Sequence, residues 1–392
     1  MDAYVTFYGR FGARLRVANG FSFARAPGEF RDVFHRVGDR GLGERTAGFD
    51  RVFCSLHWPR HWREALPHLD DRWVLGGPFV AGWTKDRDVP ASIIDGPLER
   101  VADPGAGLAG DFDPYFLALL DELPGVHHVE YASSIGTGCH WGRCTFCGED
   151  QGKAERLERP SAGAVVLAAP ERDGVAFRAN LCTPAATADQ LQDVLAAMPA
   201  RPGLGCQTFV RPEPSVISVV RQARDLSGLT LSTGAEVLSA EALRRLGKGF
   251  EPAHVLALVA MACERGASVT LGVMDMIPDL SPAEAEEAAR NVELVGAMRR
   301  QGARVSVIQN GPVSWFRREA AERFGHPVLE VDDGFRSRWV AAPEPGSPAW
   351  SAADRVAGAW TLSGVPVLKR RFATRSGWES AVSPGKIAPA PR

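Results

Sequence analysis

The segment "HHVEYASSIGTGCHWGRCTFCGED", residues 127–150, places three cysteines shortly after a strand-like stretch. Residues 127–134 have the length and the composition of a buried strand. Cys139, Cys144 and Cys147 then follow within nine positions, and glycines and aromatic residues fill the spaces between them. The pattern predicts a strand whose carboxyl end opens into a loop that carries three thiols.

Beyond this loop, strand-like and helix-like segments alternate along the chain. Strands are expected at 174–181, 205–211, 229–233, 267–274 and 303–309, and helices at 187–198, 214–226, 239–247, 252–266, 281–302 and 313–325. With the strand before the cysteine loop they make six β/α units, which favour a parallel sheet with right-handed crossovers. We therefore predict an α/β fold with either a partial (β/α)6 barrel of the TIM type or a doubly wound sheet. In both folds ligands bind at the carboxyl ends of the strands.

The residues before the loop predict a smaller α/β domain. A strand, a helix and a second strand are expected at 51–56, 60–69 and 72–78, with a further strand at 91–97. The segment 103–114 is rich in Gly, Pro and Asp, which is typical of a linker. We expect domains at 1–110 and 111–330, followed by an irregular C-terminal extension at 331–392.

Composition and charge exclude several classes of protein. The 392 residues carry a formal net charge of −2, so no general attraction to nucleic acid or to an anionic membrane is expected. The chain has no run of 18 apolar residues and no basic and apolar leader, which argues against a membrane span and a signal peptide. The seven cysteines are an odd number, which favours buried thiols and one metal site in a reducing cytoplasm over a disulfide framework.

The three clustered cysteines are open to several interpretations. Buried small hydrophobic residues do not explain a Cys-x4-Cys-x2-Cys spacing set among glycines. A structural zinc site normally has four ligands, and His140, the only local candidate, is adjacent to Cys139. A redox pair of Cys144 and Cys147 leaves Cys139 unexplained. A cubane iron–sulfur cluster is favoured, because three thiolates leave one of its irons open to a substrate.

The loop resembles the cluster motif of the radical S-adenosylmethionine (SAM) enzymes. That motif is most often Cys-x3-Cys-x2-Cys with an aromatic residue before the last cysteine; here the first gap is x4, and Phe146 holds the aromatic place. The loop is most similar to the branch of the family that carries cobalamin-binding domains. The resemblance extends over about 125–330 and implies a partial barrel whose [4Fe–4S] cluster cleaves SAM to methionine and a 5′-deoxyadenosyl radical.

The segment 231–288 resembles the fourth and fifth strands of that branch, and the match implies that Glu236 and Ser239 face SAM. Taken without the resemblance, Glu236 is equally well an ordinary carboxylate at the end of a strand. Lys248, which lies between two glycines, is expected at a helix terminus, where the helix dipole favours a cation.

The second and third strands provide two more matches. "FVRPE" (209–213) resembles the third strand, which puts Arg211 near the SAM carboxylate, although Arg211 also has Glu213 nearby in sequence as a simpler partner. "FRANLCT" (177–183) resembles the second strand and assigns Asn180 to the SAM site. An acidic residue often precedes this asparagine in the family, and this chain has alanine there.

Residues 49–78 resemble a degenerate Rossmann-like domain of the cobalamin-binding type. Their strand–helix–strand order ends at Gly76 and Gly77, which allow close approach of the backbone to a bulky ligand. His57 follows the expected strand, but the Asp and Gly of the family's Asp-x-His-x-x-Gly loop are missing. The resemblance leaves two interpretations open: these residues bind cobalamin, or the domain is vestigial and covers the mouth of the barrel.

The resemblance implies an enzyme, and with cobalamin it favours methylation of an unactivated carbon in a peptide or secondary metabolite. Without cobalamin, the radical would drive epimerisation, cross-linking or rearrangement. The alternative outside enzymes is a zinc-stapled structural or regulatory protein, although no helix-turn-helix or basic reading surface is visible. We expect a cytoplasmic protein of natural-product biosynthesis with a small-molecule or peptide substrate and a flavodoxin- or ferredoxin-type electron donor. Neither nucleic acid nor a membrane is an expected partner.

Overall fold

The computed structural model describes residues 1–17, 30–56, 59–76, 89–93, 119–121, 123–135, 139–147, 162–167, 169–274, 276–310, 313–315, 329–332 and 337–370. The chain divides into two compact units. Unit 1 consists of Met1–Ile135, Arg156–Cys182 and Ala196–Cys206, and unit 2 of Gly136–Glu155, Thr183–Leu195 and Gln207–Arg392. The linker expected at 103–114 lies outside the described residues.

Unit 1 is built on strands that are mostly parallel. Their order is β8-β7-β2-β1-β4-β5-β6, with β3 paired to β1, and the only antiparallel pair described in this unit joins β1 to β2. The strands are β1 (Asp2–Phe11), β2 (Arg14–Val17), β3 (Phe30–Arg36), β4 (Val52–Ser55), β5 (Trp73–Gly76), β6 (Ser92–Ile93), β7 (His128–Ser134) and β8 (Ala176–Ala186), of which β8 continues into unit 2. The helices are α1 (Leu42–Thr46), α2 (Pro59–Ala65) and α3 (Ala162–Leu167).

The predicted strand–helix–strand unit at the front of the chain is confirmed as β4, α2 and β5, with β4 and β5 parallel. The sequence pattern did not predict β1 and β3. β1 pairs with β3 on one side and with β4 on the other, and its residues Ala3 to Tyr8 are buried on both faces. A strand buried on both faces does not alternate apolar and polar residues, so it lacks the usual strand signal.

Unit 2 alternates strands and helices, as the sequence predicted. The strand order is β9-β10-β11-β12-β16. Its first elements are α4 (Ala188–Ala197), β9 (Gly205–Val210), α5 (Pro214–Gln222), β10 (Leu229–Glu236), α6 (Ala240–Arg245), α7 (Pro252–Glu264), β11 (Ser268–Val273), α8 (Pro282–Arg300) and β12 (Arg304–Gln309). α8 begins as expected from its sequence, with a capping box between Ser281 and Glu284.

The C-terminal part of unit 2 differs from its prediction. Val313–Trp315 was expected to begin a helix but forms β13, which pairs antiparallel with β15 (Ser337–Ala341), as does β14 (Leu329–Asp332). The tail expected to be irregular contains α9 (Pro348–Leu362) and β16 (Val367–Arg370). β16 pairs parallel with β12, so the tail adds a seventh parallel strand beside the six that were predicted.

The two faces of the β10–β11–β12 sheet differ in polarity. Leu231, Val269 and Val305 form a buried apolar row on one face. On the other, Ser232, Thr270 and Ser306 form a row of hydroxyls, with Thr270 and Ser306 hydrogen-bonded at 3.2 Å. The two units together contain thirteen strands in these mostly parallel series, and neither series closes on itself within the described residues. The α/β class with an open, parallel sheet is therefore confirmed.

No helix in the described part of the chain is long and apolar enough to span a membrane.

Candidate functional site

The three cysteines of the loop lie in unit 2. Cys144 is buried, and Cys139 and Cys147 are partly exposed. The loop is wound into a turn by a 3.3 Å hydrogen bond from the Cys147 amide to the Cys144 carbonyl oxygen, and Gly142 has a left-handed backbone. The sequence prediction of one compact three-thiol loop is thus matched by its local structure.

The cysteine loop is bound to the turn that follows α6. The amide of Thr145 donates to the Leu246 carbonyl oxygen at 3.1 Å, and the indole Nε1 of Trp141 donates to the Gly247 carbonyl oxygen at 2.6 Å. These two hydrogen bonds fix the loop to a segment about a hundred residues away in sequence.

Two glycines make this close contact sterically feasible. Gly247 and Gly249 both have φ of +68°, a left-handed conformation that other residues rarely adopt. A Cβ atom on Gly247 would lie 2.4 Å from the Arg143 carbonyl oxygen, and one on Gly249 would lie 2.0 Å from Cζ2 of Trp141. The glycine pair that brackets Lys248 therefore has a structural role in seating the cysteine loop.

Arg211 follows β9 and is buried beside the loop. Its Nε donates to Oε1 of Glu213 at 2.6 Å, its Nη2 donates to the Lys248 carbonyl oxygen, and its Nη1 lies 3.9 Å from Sγ of Cys144. The simpler partner considered from the sequence, Glu213, is therefore bound. A contact with the SAM carboxylate remains a prediction.

Glu213 also binds the loop itself. Nε2 of His140 donates to the Glu213 carboxylate, with both oxygens at 3.2 Å. The hydrogen bond from His140 lowers the pKa of Glu213 to about 2; the hydrogen bond from Arg211 acts in the same direction, and burial opposes it. Glu213 is therefore a permanent anion that pairs with a loop residue and with Arg211.

Glu236 and Lys248 form a second buried pair. Nζ of Lys248 donates to Oε1 of Glu236 at 2.8 Å, and both side chains are at most 10% exposed. The ammonium also lies 5.3 Å from the ring centres of Phe146 and Phe250. Lys248 was expected from the sequence only as a helix terminus; its contacts with Glu236 and Phe146 place it among the predicted site residues.

Two nearby cations and burial have opposite effects on the ionisation of the Cys144 thiol. Burial raises the pKa of the thiol, whereas the nearby cations of Lys248 and Arg211 lower it, and burial is the larger effect. A thiolate is the form that binds metal, and neighbouring cations stabilise it. These two cations are suited to a buried cysteine that becomes a metal ligand.

The remaining predicted SAM residues are bound to other partners. Ser239 is fully buried at the start of α6, and its Oγ donates to Oε2 of Glu287 at 2.8 Å. Asn180 lies in unit 1, where its Nδ2 donates to Oε1 of Glu130 at 2.7 Å. The Oδ1 of Asn180 is buried and has no hydrogen-bond partner within the described residues.

Only one of the residues proposed for cobalamin is described. Gly76 ends β5, and its carbonyl oxygen accepts a 2.8 Å hydrogen bond from the amide of Leu56, just beyond β4. His57 and Gly77 lie outside the described residues. The structure therefore describes the ends of the parallel strands β4 and β5, but the loops that would contact cobalamin lie outside the described residues.

The donor set of the loop fits an iron–sulfur cluster. No group of three or more His, Cys, Asp or Glu side chains converges closely enough to hold a single metal ion in the part of the chain that the structure describes. A cubane does not require such convergence, because each cysteine binds a different iron. Three cysteines in one short loop, one of them near two cations, would provide ligands for three irons of a cubane and would leave the fourth open.

No model of a protein family matches the chain, and no curated protein matches it. Solved structures do. The cobalamin-dependent S-adenosylmethionine radical enzyme OxsB, with aqua-cobalamin and SAM bound, has a TM-score of 0.57 and 11% identity over 90% of this chain and 66% of its own. The radical SAM methyltransferase TsrM from Kitasatospora setae, with tryptophan and the SAM analogue aza-SAM bound, has a TM-score of 0.54 and 13% identity over 87% of this chain and 85% of its own.

The chain has the fold of cobalamin-dependent radical SAM enzymes. A second TsrM structure, with cobalamin and a [4Fe–4S] cluster bound, covers 92% of this chain at a TM-score of 0.53 and 12% identity. The chain spans between 51% and 66% of the length of the OxsB chains. At the level of fold, the resemblance inferred from the cysteine loop is confirmed.

Proposed function

We propose that this chain is a radical SAM enzyme whose Cys139, Cys144 and Cys147 hold a [4Fe–4S] cluster. The observation that carries the proposal is the three-cysteine loop, with Cys144 buried and its Sγ 3.9 Å from Nη1 of Arg211, on a fold shared with OxsB and TsrM. When bound, the cluster would supply the electron that cleaves SAM to methionine and a 5′-deoxyadenosyl radical.

The chain's own residues would bind SAM and shield the site. Phe146 and Phe250 flank the Lys248 ammonium and would keep water from the cluster side of the loop. The Glu236 carboxylate would accept hydrogen bonds from polar groups of SAM. Because the Ser239 hydroxyl already donates its hydrogen to Glu287, Ser239 would act toward SAM only as an acceptor.

Iron, sulfide and zinc analysis tests the cluster. Protein purified without oxygen and loaded with iron and sulfide is expected to hold about four of each per chain. On reduction with dithionite in the presence of SAM it is expected to release 5′-deoxyadenosine. One tightly bound zinc, with no nucleoside formed, would instead support the structural or regulatory alternative.

For the reaction itself we propose cobalamin-dependent methylation of an unactivated carbon in a peptide or secondary metabolite, in natural-product biosynthesis. The fold supports this proposal, since solved structures of OxsB and of TsrM, a methyltransferase, contain cobalamin. The parallel β4–α2–β5 unit with Gly76 at its end also supports it. Cobalamin would supply the methyl carrier, and a flavodoxin or ferredoxin the electrons.

A cobalamin-independent reaction is the second candidate, because the Asp-x-His-x-x-Gly loop is missing after β4. Oxygen-free incubation with cobalamin, followed by gel filtration, distinguishes the two. Methylation predicts that the visible absorption of cobalamin elutes with the protein. Elution of the protein without that absorption would favour epimerisation, cross-linking or rearrangement.

A further inference from the structure

Each guanidinium nitrogen of Arg211 already has a partner within the protein. Its three guanidinium nitrogens are directed to the Glu213 carboxylate, the Lys248 carbonyl oxygen and Sγ of Cys144. The side chain is only 4% exposed. An arginine that bound the SAM carboxylate would present two parallel N–H groups to open space, and this arginine presents them to the protein.

Two aromatic rings also lie close to the guanidinium. Its Cζ lies 4.6 Å from the ring centre of Trp141 and 5.3 Å from that of Phe250. Trp141 belongs to the cysteine loop, and Phe250 follows the turn on which the loop rests. Arg211 therefore contacts both the loop and the segment after the turn that holds it. A planar guanidinium can lie flat against such rings while its N–H groups donate in the plane, which an ammonium cannot do.

The Arg211–Glu213 pair contacts the loop at three of its residues. Glu213 accepts from His140, the guanidinium of Arg211 stacks on Trp141, and its Nη1 lies 3.9 Å from Sγ of Cys144. The short segment after β9 thus makes three separate contacts with the cysteine loop: a hydrogen bond, a ring contact and a contact with a thiol.

We propose that Arg211, oriented by Glu213, is a positioning residue for the cysteine loop, which it holds in its cluster-binding conformation before any cluster is present. This inference rests on the proposed function only for the purpose of the loop, which is to bind a cluster. It departs from the sequence expectation that Arg211 lies against the SAM carboxylate.

Hydrogen exchange of the apoprotein tests the inference without cluster or SAM. In Arg211→Met, amide exchange in the peptide covering 139–147 is expected to rise about tenfold, because a hydrogen-bonded charged contact is lost. Arg265→Met is the matched control, since it removes a partly buried guanidinium that donates to the Ala223 carbonyl oxygen. The control is expected to leave exchange in 139–147 unchanged.

Two milder variants cover the case in which Arg211→Met does not fold. Arg211→Lys keeps the positive charge but loses the planar guanidinium. It is expected to raise amide exchange in 139–147 nearly as much as Arg211→Met does. His140→Ala removes the partly exposed contact to Glu213 and is expected to raise it by a smaller factor. Unchanged exchange in the folded variants of Arg211 would overturn the inference.

Iron content and SAM affinity separate this inference from the proposed function. A positioning role predicts that Arg211→Lys loses iron on desalting more readily than wild type. Full iron retention and normal exchange, with weakened SAM binding, would instead show that Arg211 binds the SAM carboxylate. If wild type takes up no iron, the proposed function fails, and the exchange experiment still decides whether Arg211 holds the loop.

Discussion

Glu236 has an unusual backbone for its residue type. Its φ of 49° lies in the left-handed region, at a point where the register of β10 and β11 shifts between Gly234 and Glu236. Such a conformation costs about 1–3 kcal/mol in a residue other than glycine, and proteins keep it mostly at functional sites. The carboxylate that it positions is anchored by Lys248, and the contact of Glu236 with SAM stays a prediction.

The buried Glu236–Lys248 pair predicts that removal of one charge destabilises the protein far more than removal of both. Lys248→Met leaves the buried Glu236 carboxylate without its cation, and we expect the free energy of unfolding to fall by about 3 kcal/mol. The double variant Lys248→Met/Glu236→Gln removes the charge as well and should recover most of that loss. Urea denaturation of the apoprotein measures both. Equal destabilisation of the single and double variants would contradict the assignment.

Individual residues of the site were only partly accessible from the sequence. The cysteines, Phe146, Arg211 and Glu236 stand in recognisable local patterns, and the structure brings Phe146 and Glu236 together through Lys248. Trp141 and Lys248 were not selected, because their partners lie in distant segments: Trp141 bonds to Gly247, 106 positions away. Local spacing carries no information about such contacts.

The turn after α6 is the element that seats the cysteine loop, and Gly249 is its tightest point. In Gly249→Ala the new methyl group would overlap Trp141, so we expect the loop to be displaced and iron uptake to fall to a small fraction of wild type. Gly302→Ala is the control: Gly302 is also left-handed, with φ of +102°, but nothing lies within 4 Å of its Cβ position.

The control separates backbone strain from the clash. Both alanine variants pay the left-handed penalty of about 1 kcal/mol, so both should unfold at lower denaturant concentration than wild type. Only Gly249→Ala should lose iron, measured after reconstitution and desalting. If the two variants retain iron equally, the contact between Trp141 and the turn is not needed for the loop.

In unit 1, helix α2 is packed on β1 and β3 through a buried aromatic group. The Phe7 ring stacks on His61 with a centroid distance of 4.6 Å and meets His35 edge-on at 5.6 Å. His35 is fully buried, its Nε2 lies 3.4 Å from Oε2 of Glu64, and its Nδ1 has no hydrogen-bond partner within the described residues. Burial lowers the pKa of His35, and Glu64 opposes this only in part.

A lowered histidine pKa predicts a loss of stability in mild acid. As the pH falls through 6.5, the ordinary value, the unfolded chain binds a proton that the folded chain does not yet accept, so stability falls with pH. Denaturant midpoints should therefore drop between pH 7.5 and pH 5.5 in wild type and drop less in His35→Gln. Parallel pH profiles for the two proteins would contradict a buried, neutral His35.

Helices and strands with a clear hydrophobic periodicity were predictable from the sequence. Short strands that depend on pairing with a distant strand were not. The helices and strands from β8 to β12 follow the predicted order with boundaries a few residues apart, whereas α3 was not predicted. β16 was not predicted, because four residues give little periodic signal. It exists as a strand because it adds to the edge of β12, where the amide of Val307 donates to the Pro366 carbonyl oxygen at 2.9 Å.

At the scale of the whole molecule, the sequence predicted the fold class, and the domain boundaries expected at 1–110 and 111–330 stay a prediction. The two units are each assembled from several chain segments, one of which brings the cysteine loop into unit 2. Such interleaving follows from strand pairing across long separations, which composition and linker signals do not reveal. The resemblance to cobalamin-dependent radical SAM enzymes was clearest in the cysteine loop, although OxsB and TsrM share only 11–14% identity with this chain.

The central claim is that the loop 139–147 holds a cluster with one open iron that binds SAM. Electron paramagnetic resonance of the anaerobically reconstituted, dithionite-reduced protein tests it most directly, with and without SAM. The account predicts a reduced-cluster signal that changes shape when SAM is added, and no such signal in the variant with all three loop cysteines replaced by alanine. A wild-type signal that SAM leaves unchanged, or one that persists without the three thiols, would contradict it.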